Sequence, residues 1–205
     1  ASADREKIEE SRSKLGTAFS NSFAVGAFTP LTPEQLGWSL MKASGVIAQQ
    51  QAAADAEFEK KKPAGGTPAD DPTRSDARAK FVEQYAWDKL KATVIQFANL
   101  FGNSAGEPQD TFYAAAEQAL FFNNAGVLQS WLAPGNGNLT RKLSQMDDSS
   151  ALAEELYLAT LTRLPTKEES AAVGKMLKGR AEEKPAVVQE LAWGLLTSAE
   201  FRFNH

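Results

Sequence analysis

Cysteine is absent from this 205-residue chain, and histidine occurs once, as the last residue, His205. Without thiols the chain alone can form no disulfide, thiolate nucleophile, iron–sulfur ligand set or covalent haem attachment. With one imidazole, a metal site falls to carboxylates, and imidazole catalysis has a single candidate. No apolar run approaches the roughly 18 residues that mark a membrane-spanning helix. Ala1 to Lys14 alternates charge and carries no apolar core of a signal peptide. A basic excess is missing too: 22 Lys and Arg stand against 26 Asp and Glu, a formal net charge of −4. Nothing therefore resembles the electropositive footprint of a nucleic-acid binder. No stretch alternates apolar and polar residues long enough to predict a sheet, and no internal repeat is visible.

What is present is helical periodicity, in a chain long enough to bury a sizeable core. The expected fold is all-α, a compact multi-helix bundle with one long mobile loop. Ser2 to about Ser20 reads as a charged helix with a thin apolar seam of Ile8, Leu15 and Phe19. It is followed by an apolar crossing around Gly26 and Pro30, so residues 1–29 form a connector and 30–205 the helical domain. Thr32-Pro33-Glu34-Gln35 is a helix start: a capping hydroxyl, proline at the first position, and Gln at the third. That helix puts Leu36, Leu40, Ala43 and Ile47 on one side, with Gly45 interrupting it and an Ala/Gln-rich extension to Glu59. Composition then shifts. Residues 60–75, with three lysines, Pro63, Gly65-Gly66, Pro68 and Pro72, predict a mobile loop, its lysines solvated rather than bound to an anion. From Asp76 a long helix places Trp87, Leu90, Val94, Phe97 and Phe101 in one stripe, the pattern of a core-facing side. Asp110 can cap a helix holding Phe112, Ala116, Ala119 and Leu120. A short segment with Leu128, Trp131 and Leu132 ends at the Pro134-Gly135-Asn136-Gly137 turn, and Leu139, Leu143 and Met146 predict another short helix.

The terminal third carries the clearest signals. Leu152, Leu156, Ala159 and Leu164 share one predicted face, and the run breaks at Leu164-Pro165 because proline disfavours helix for the residue before it. Thr166 and Glu169 have capping-box spacing, opening a helix that packs through Val173, Met176 and Leu177 and stops near Gly179. Pro185 suits a first helical turn, and Val188, Leu191, Ala192, Leu195, Leu196 and Ala199 then follow helical spacing. Three helices with short connections predict antiparallel neighbours in a bundle.

Glu155-Leu156-Tyr157-Leu158-Ala159-Thr160-Leu161-Thr162-Arg163-Leu164-Pro165-Thr166, followed by Ala192-Trp193-Gly194-Leu195-Leu196-Thr197-Ser198-Ala199-Glu200-Phe201-Arg202-Phe203-Asn204-His205, resembles the close of a domain of unknown function found in large exported proteins of planctomycetes and related bacteria. Pro30 to Leu36 resembles that family's opening helix, and Gln118 to Asn124 its middle. Trp193, Glu200, Phe201, Asn204 and His205 fall in the most recognisable motif. The resemblance implies export to the periplasm or cell surface, and an origin as the C-terminal piece of a larger protein. It also implies sibling domains as partners, a cytochrome-c-like one among them. No activity comes with it. The family often carries cysteines after its Phe-Gly pair, whereas this chain has Phe101-Gly102 and then none.

Candidate chemistry is sparse. Gly102-Asn103-Ser104-Ala105-Gly106 is a literal G-x-S-x-G, and Ser104, Asp147 or Asp148, and His205 follow in the chain order of hydrolase triads. Its context is helical, though, without the strand that an exposed nucleophile elbow requires, and a flexible Gly-Ser loop is the simpler reading. Asp147-Asp148 and Asp70-Asp71 could touch a metal but lack regular oxygen-ligand spacing; Asp147-Asp148 instead predicts a helix cap. Asn138-Leu139-Thr140 is an N-glycosylation sequon by pattern. Trp38, Trp87, Trp131 and Trp193 fit apolar helix faces, although an exposed pair could stack on a sugar. No cofactor is expected. The leading functional expectation is a non-catalytic interaction or scaffolding module; the rivals are a hydrolase, a site completed by upstream domains, and a carbohydrate-binding module.

Overall fold

The Thr32 signal opens the described helical body. In the computed structural model, which describes residues 29–60, 72–102, 126–135 and 137–204 together with Ser11, Lys14, Leu15 and Ala18, helix α1 spans Pro33–Ser44. The Thr32 hydroxyl accepts from the Gln35 N–H at 3.3 Å, and the Gln35 side-chain oxygen accepts from the Thr32 N–H at 2.9 Å. Both otherwise orphaned donors are thereby satisfied. Gly45 ends the helix at φ 90°, and a Cβ there would sit 3.2 Å from the Asn138 Cα. Only glycine meets both demands.

Helix α2 (Val46–Lys60) continues with little burial, hiding Val46 and Ala54. Helix α3 (Pro72–Phe101) packs along α1 and α2. Arg78 Nε pairs with Asp55 at 2.8 Å, Arg74 with Glu59 at 2.9 Å, and the Phe58 and Phe81 rings lie 5.5 Å apart. Met41, Val46, Leu90 and Val94 form a small core between these three helices. Leu36, Leu40 and Phe97 look the other way, into a larger core shared with the C-terminal helices.

Helices α4 (Gly126–Leu132) and α5 (Leu139–Ser144) are joined through Asn138, which is 1% exposed. Its Oδ1 accepts from the Arg141 N–H at 3.0 Å, capping α5. Its Nδ2 donates to the carbonyls of Trp131 at 2.8 Å and Ala133 at 2.7 Å, closing the end of α4. Helices α6 (Ser149–Leu161), α7 (Lys167–Leu177) and α8 (Lys184–Leu196) complete the core with Leu152, Leu156, Val173, Val188, Ala192 and Leu196. A 3-10 turn at Glu200–Arg202 then leads to strand β2 (Phe203–Asn204), which pairs antiparallel with β1 (Thr29–Pro30). The all-α expectation holds, with this two-residue pair as the one β feature among the described residues.

Several boundaries differ from expectation. Of the stretch expected as a loop, 60–75, both ends are helical: Lys60 closes α2 and Pro72 opens α3. Proline at a helix start sacrifices an N–H that has no partner there anyway, so it can begin a helix rather than break one. Trp87 does not join the buried stripe: it is 49% exposed, while Leu90, Val94 and Phe97 are buried. Leu164 leaves the α6 face and is 61% exposed, since α6 stops at Leu161. Met176 is exposed, so α7 packs chiefly through Val173. The sequon is interior, with Thr140 fully buried. Residues 61–71, the expected helix after Asp110, and Ile8 and Phe19 of the connector lie outside the described residues; Leu15 is helical and exposed.

Candidate functional site

Asp148 and Thr166 set up the terminal block. The Asp148 carboxylate accepts from the Ser150 N–H at 2.9 Å and caps α6. At its other end, Thr162 takes φ 57°, a left-handed conformation that stops the helix. The chain reverses there, and the Arg163 guanidinium comes to lie 5.2 Å over the Tyr157 ring. Thr166 and Glu169 then form the capping box of α7: Thr166 N–H donates to Glu169 Oε2 at 2.7 Å, and Glu169 N–H to the Thr166 hydroxyl at 3.2 Å.

Arg163 fastens these pieces together. Its Nη1 donates to Glu169 Oε2 at 2.8 Å and to the Leu164 carbonyl at 3.1 Å; its Nη2 donates to Glu169 Oε1 at 2.8 Å and Glu200 Oε2 at 3.0 Å. Nε donates to Glu200 Oε1 at 2.5 Å. A guanidinium has five N–H groups in a fixed fork, and all five are used. The planar fork meets each of the two carboxylates with a pair of bonds, a geometry that a lysine's single ammonium does not offer. One side chain thus joins the end of α6, the start of α7 and the 3-10 turn after α8.

The electrostatics follow from that geometry. Hydrogen bonding to Arg163 holds the Glu169 carboxyl down at about 2, and Glu169 and then Glu200 raise Arg163 above its ordinary value. Burial raises the Tyr157 hydroxyl, with the charge of Glu169 adding to it. A general acid must carry its proton near working pH, and Glu169 is ionised throughout the neutral range. Its chemistry here is that of a ligand for a guanidinium.

Beside this clamp, α1, the end of α6 and the terminal turn enclose a cleft of about 500 Å³. Its walls include Leu31, Trp38, Ile47 and Phe203, with Lys42 and Glu200 as charged members. Trp38 also stacks on the half-exposed Trp87, ring centroids 5.6 Å apart and planes 19° from parallel. The volume falls within the range of ligand pockets, and its lining is mainly apolar.

The motif that carries the family resemblance therefore divides. Glu200 is held by Arg163, Phe201 is 7% exposed in the main core, and the backbone of Asn204 pairs with Thr29. Trp193 packs at the edge of the main core, and its Nε1–H is buried with no acceptor among the described residues. His205 and Ser104, the hydrolase candidates, lie outside the described residues, as do Asp70 and Asp71. Asp148 is a cap, and among the described residues no three His, Cys, Asp or Glu side chains are grouped to hold a metal. The sequence reading missed Arg163 as an organising residue. Glu169 was visible as a cap, but Glu200 lies 37 residues away from Arg163, and no local pattern links the two. No family model, curated protein or solved structure matches this chain.

Proposed function

We propose that this chain is a non-catalytic interaction module, the C-terminal part of an exported bacterial protein, that docks on sibling domains of its parent, a cytochrome-c-like domain among them. The observation that carries the reading is the use made of the terminal motif. Its carboxylate, Glu200, is held in the Arg163 clamp, and its Phe201 is buried in the core. A carboxylate held ionised by a guanidinium fixes the elements it joins, which supports a structural role for the motif.

The same clamp fixes one wall of the cleft. The stacked Trp38–Trp87 pair carries apolar surface from the cleft towards solvent, and aromatic side chains are enriched where protein partners meet. Export and the sibling domains come from the resemblance to the planctomycete family.

Calorimetry between this chain and the remaining domains of its parent tests the proposal. Micromolar or tighter association, weakened by Trp87→Ser, is expected. No association would refute docking. Ester hydrolysis by this chain that disappears in Ser104→Ala would refute the non-catalytic reading.

A further inference from the structure

The cleft beside the Arg163 clamp meets α6 at the end of the helix. Ala159, Thr160, Leu161 and Thr162 all line it. Four consecutive residues of an α-helix point right round its circumference, so a cleft that touches all four lies across the helix end rather than along one face. The last carbonyls of a helix have no intrahelical donor. Among the described residues nothing donates to those of Ala159, Thr160 or Leu161. The Thr160 hydroxyl turns back to the Leu156 carbonyl, and Arg163 Nη1 passes on to that of Leu164.

The charge beside this helix end is negative too. The clamp sets one guanidinium against the carboxylates of Glu169 and Glu200, a formal excess of one negative charge, and Glu200 is itself in the lining. A helix C-terminus adds roughly half a negative charge. The other charged lining residue, Lys42, is exposed and makes no ion pair among the described residues, so water screens its charge. Around these acceptors the walls are apolar: Leu31, Ile47, Phe203 and the indole of Trp38.

From this pairing of apolar walls with an electronegative end we infer that the cleft takes a lysine side chain of the docked domain, an inference that rests on the docking reading above. The four-carbon stem of a lysine suits the walls, and its ammonium brings three donors to the helix end. Basic groups commonly satisfy the final carbonyls of helices in this way. An arginine matches the site less well, since its planar fork pairs best with carboxylates, and Arg163 already bridges both. A carboxylate would face the carbonyl oxygens and Glu200. A purely apolar side chain would shut those carbonyls away from water without a donor, which is costly.

The test is a nitrogen-15 NMR titration of the whole chain with Nα-acetyl-lysine methylamide at millimolar concentration. The norleucine counterpart, which keeps the stem without the ammonium, and the glutamate counterpart are the controls. The lysine probe alone is expected to shift the Trp38 indole and the backbone amides of Thr160 to Arg163. Lys42→Glu, an exposed change that replaces the lysine in the lining with an anion, should lower its Kd about fivefold. An equal response to norleucine would make the cleft a plain apolar slot, and a response to glutamate an anion site; either overturns the inference. So does no response to any probe, or a Kd that Lys42→Glu leaves unchanged or raises. Calorimetry with the remaining domains of the parent separates the two readings. No association there, with the lysine response intact, refutes docking but not the preference of the cleft. Association that Lys42→Glu fails to tighten leaves docking in place and overturns the lysine as its occupant.

Discussion

Acid should loosen the Arg163 clamp through the Glu169 carboxyl. Glu169 is held at about 2 against an ordinary value of 4.5. At about 1.4 kcal/mol per unit of difference, the gap sets a ceiling of about 3.5 kcal/mol. The side chains of Arg163 and Glu169 are 35% and 29% exposed, so solvent screening brings the net to about 1–2 kcal/mol. The folded-state value is depressed, so the unfolded chain takes up the proton first as pH falls. This stabilisation is complete above pH 4.5 and drains away as pH drops towards 2. Urea denaturation followed by circular dichroism at successive pH values would measure it. The decisive comparison is Arg163→Met, which keeps an unbranched apolar stem but removes the guanidinium and its charge. That variant should be less stable at pH 7, with a shallower fall between pH 4.5 and 2. An equal fall in both proteins would refute the reasoning, because acid sensitivity would then arise outside the clamp.

Other perturbations read different parts of the fold. Phe201→Ala empties a buried site in the main core and should cost about 3–5 kcal/mol in the same urea assay. Gly45→Ala places a Cβ against the Asn138 backbone at a left-handed position and should cost about 1–3 kcal/mol. Gly194→Ala, in open space within a helix, should instead raise the melting temperature, gaining up to about 1 kcal/mol. Asn138→Ala removes a cap and leaves the carbonyls of Trp131 and Ala133 short of a donor, so a loss of about 2–3 kcal/mol is expected. An Asn138→Ala protein with an unchanged midpoint would show that the α4–α5 junction is held by something else.

How much of this was legible in the sequence depends on the range of each interaction. Both capping boxes, Thr32 with Gln35 and Thr166 with Glu169, lie within one helical turn, and local spacing was enough to find them. The break at Gly45 was visible for the same reason, though not its left-handed φ. Trp87 was misplaced because the buried stripe of α3 runs through Ala86 and Leu90, and Trp87 lies at its edge, stacked on Trp38. Leu164 was misplaced because the stop signal lies at Thr162, a non-glycine residue at positive φ that no composition rule favours. Asn138 read as a glycosylation signal; its role as a buried splice between two helices depends on carbonyls five and seven residues back. The Arg163–Glu200 link of the candidate site and, away from it, the bond from Gln189 to the Gln129 carbonyl are tertiary facts. Periodicity carries no information about either.

The two-residue pairing of Thr29–Pro30 with Phe203–Asn204 has a mechanical consequence. It brings residue 29 and residue 204 side by side, with the Leu31 N–H to Arg202 carbonyl bond, 2.8 Å long, next in line. Tension applied across these two points would load the rungs of that ladder in succession, as a zipper is opened, rather than all together in shear. The terminal turn would part from α1 first. Glu200 would then be drawn from Arg163 while the helices behind were still packed, so the latch would yield at low force and the bundle at a higher one.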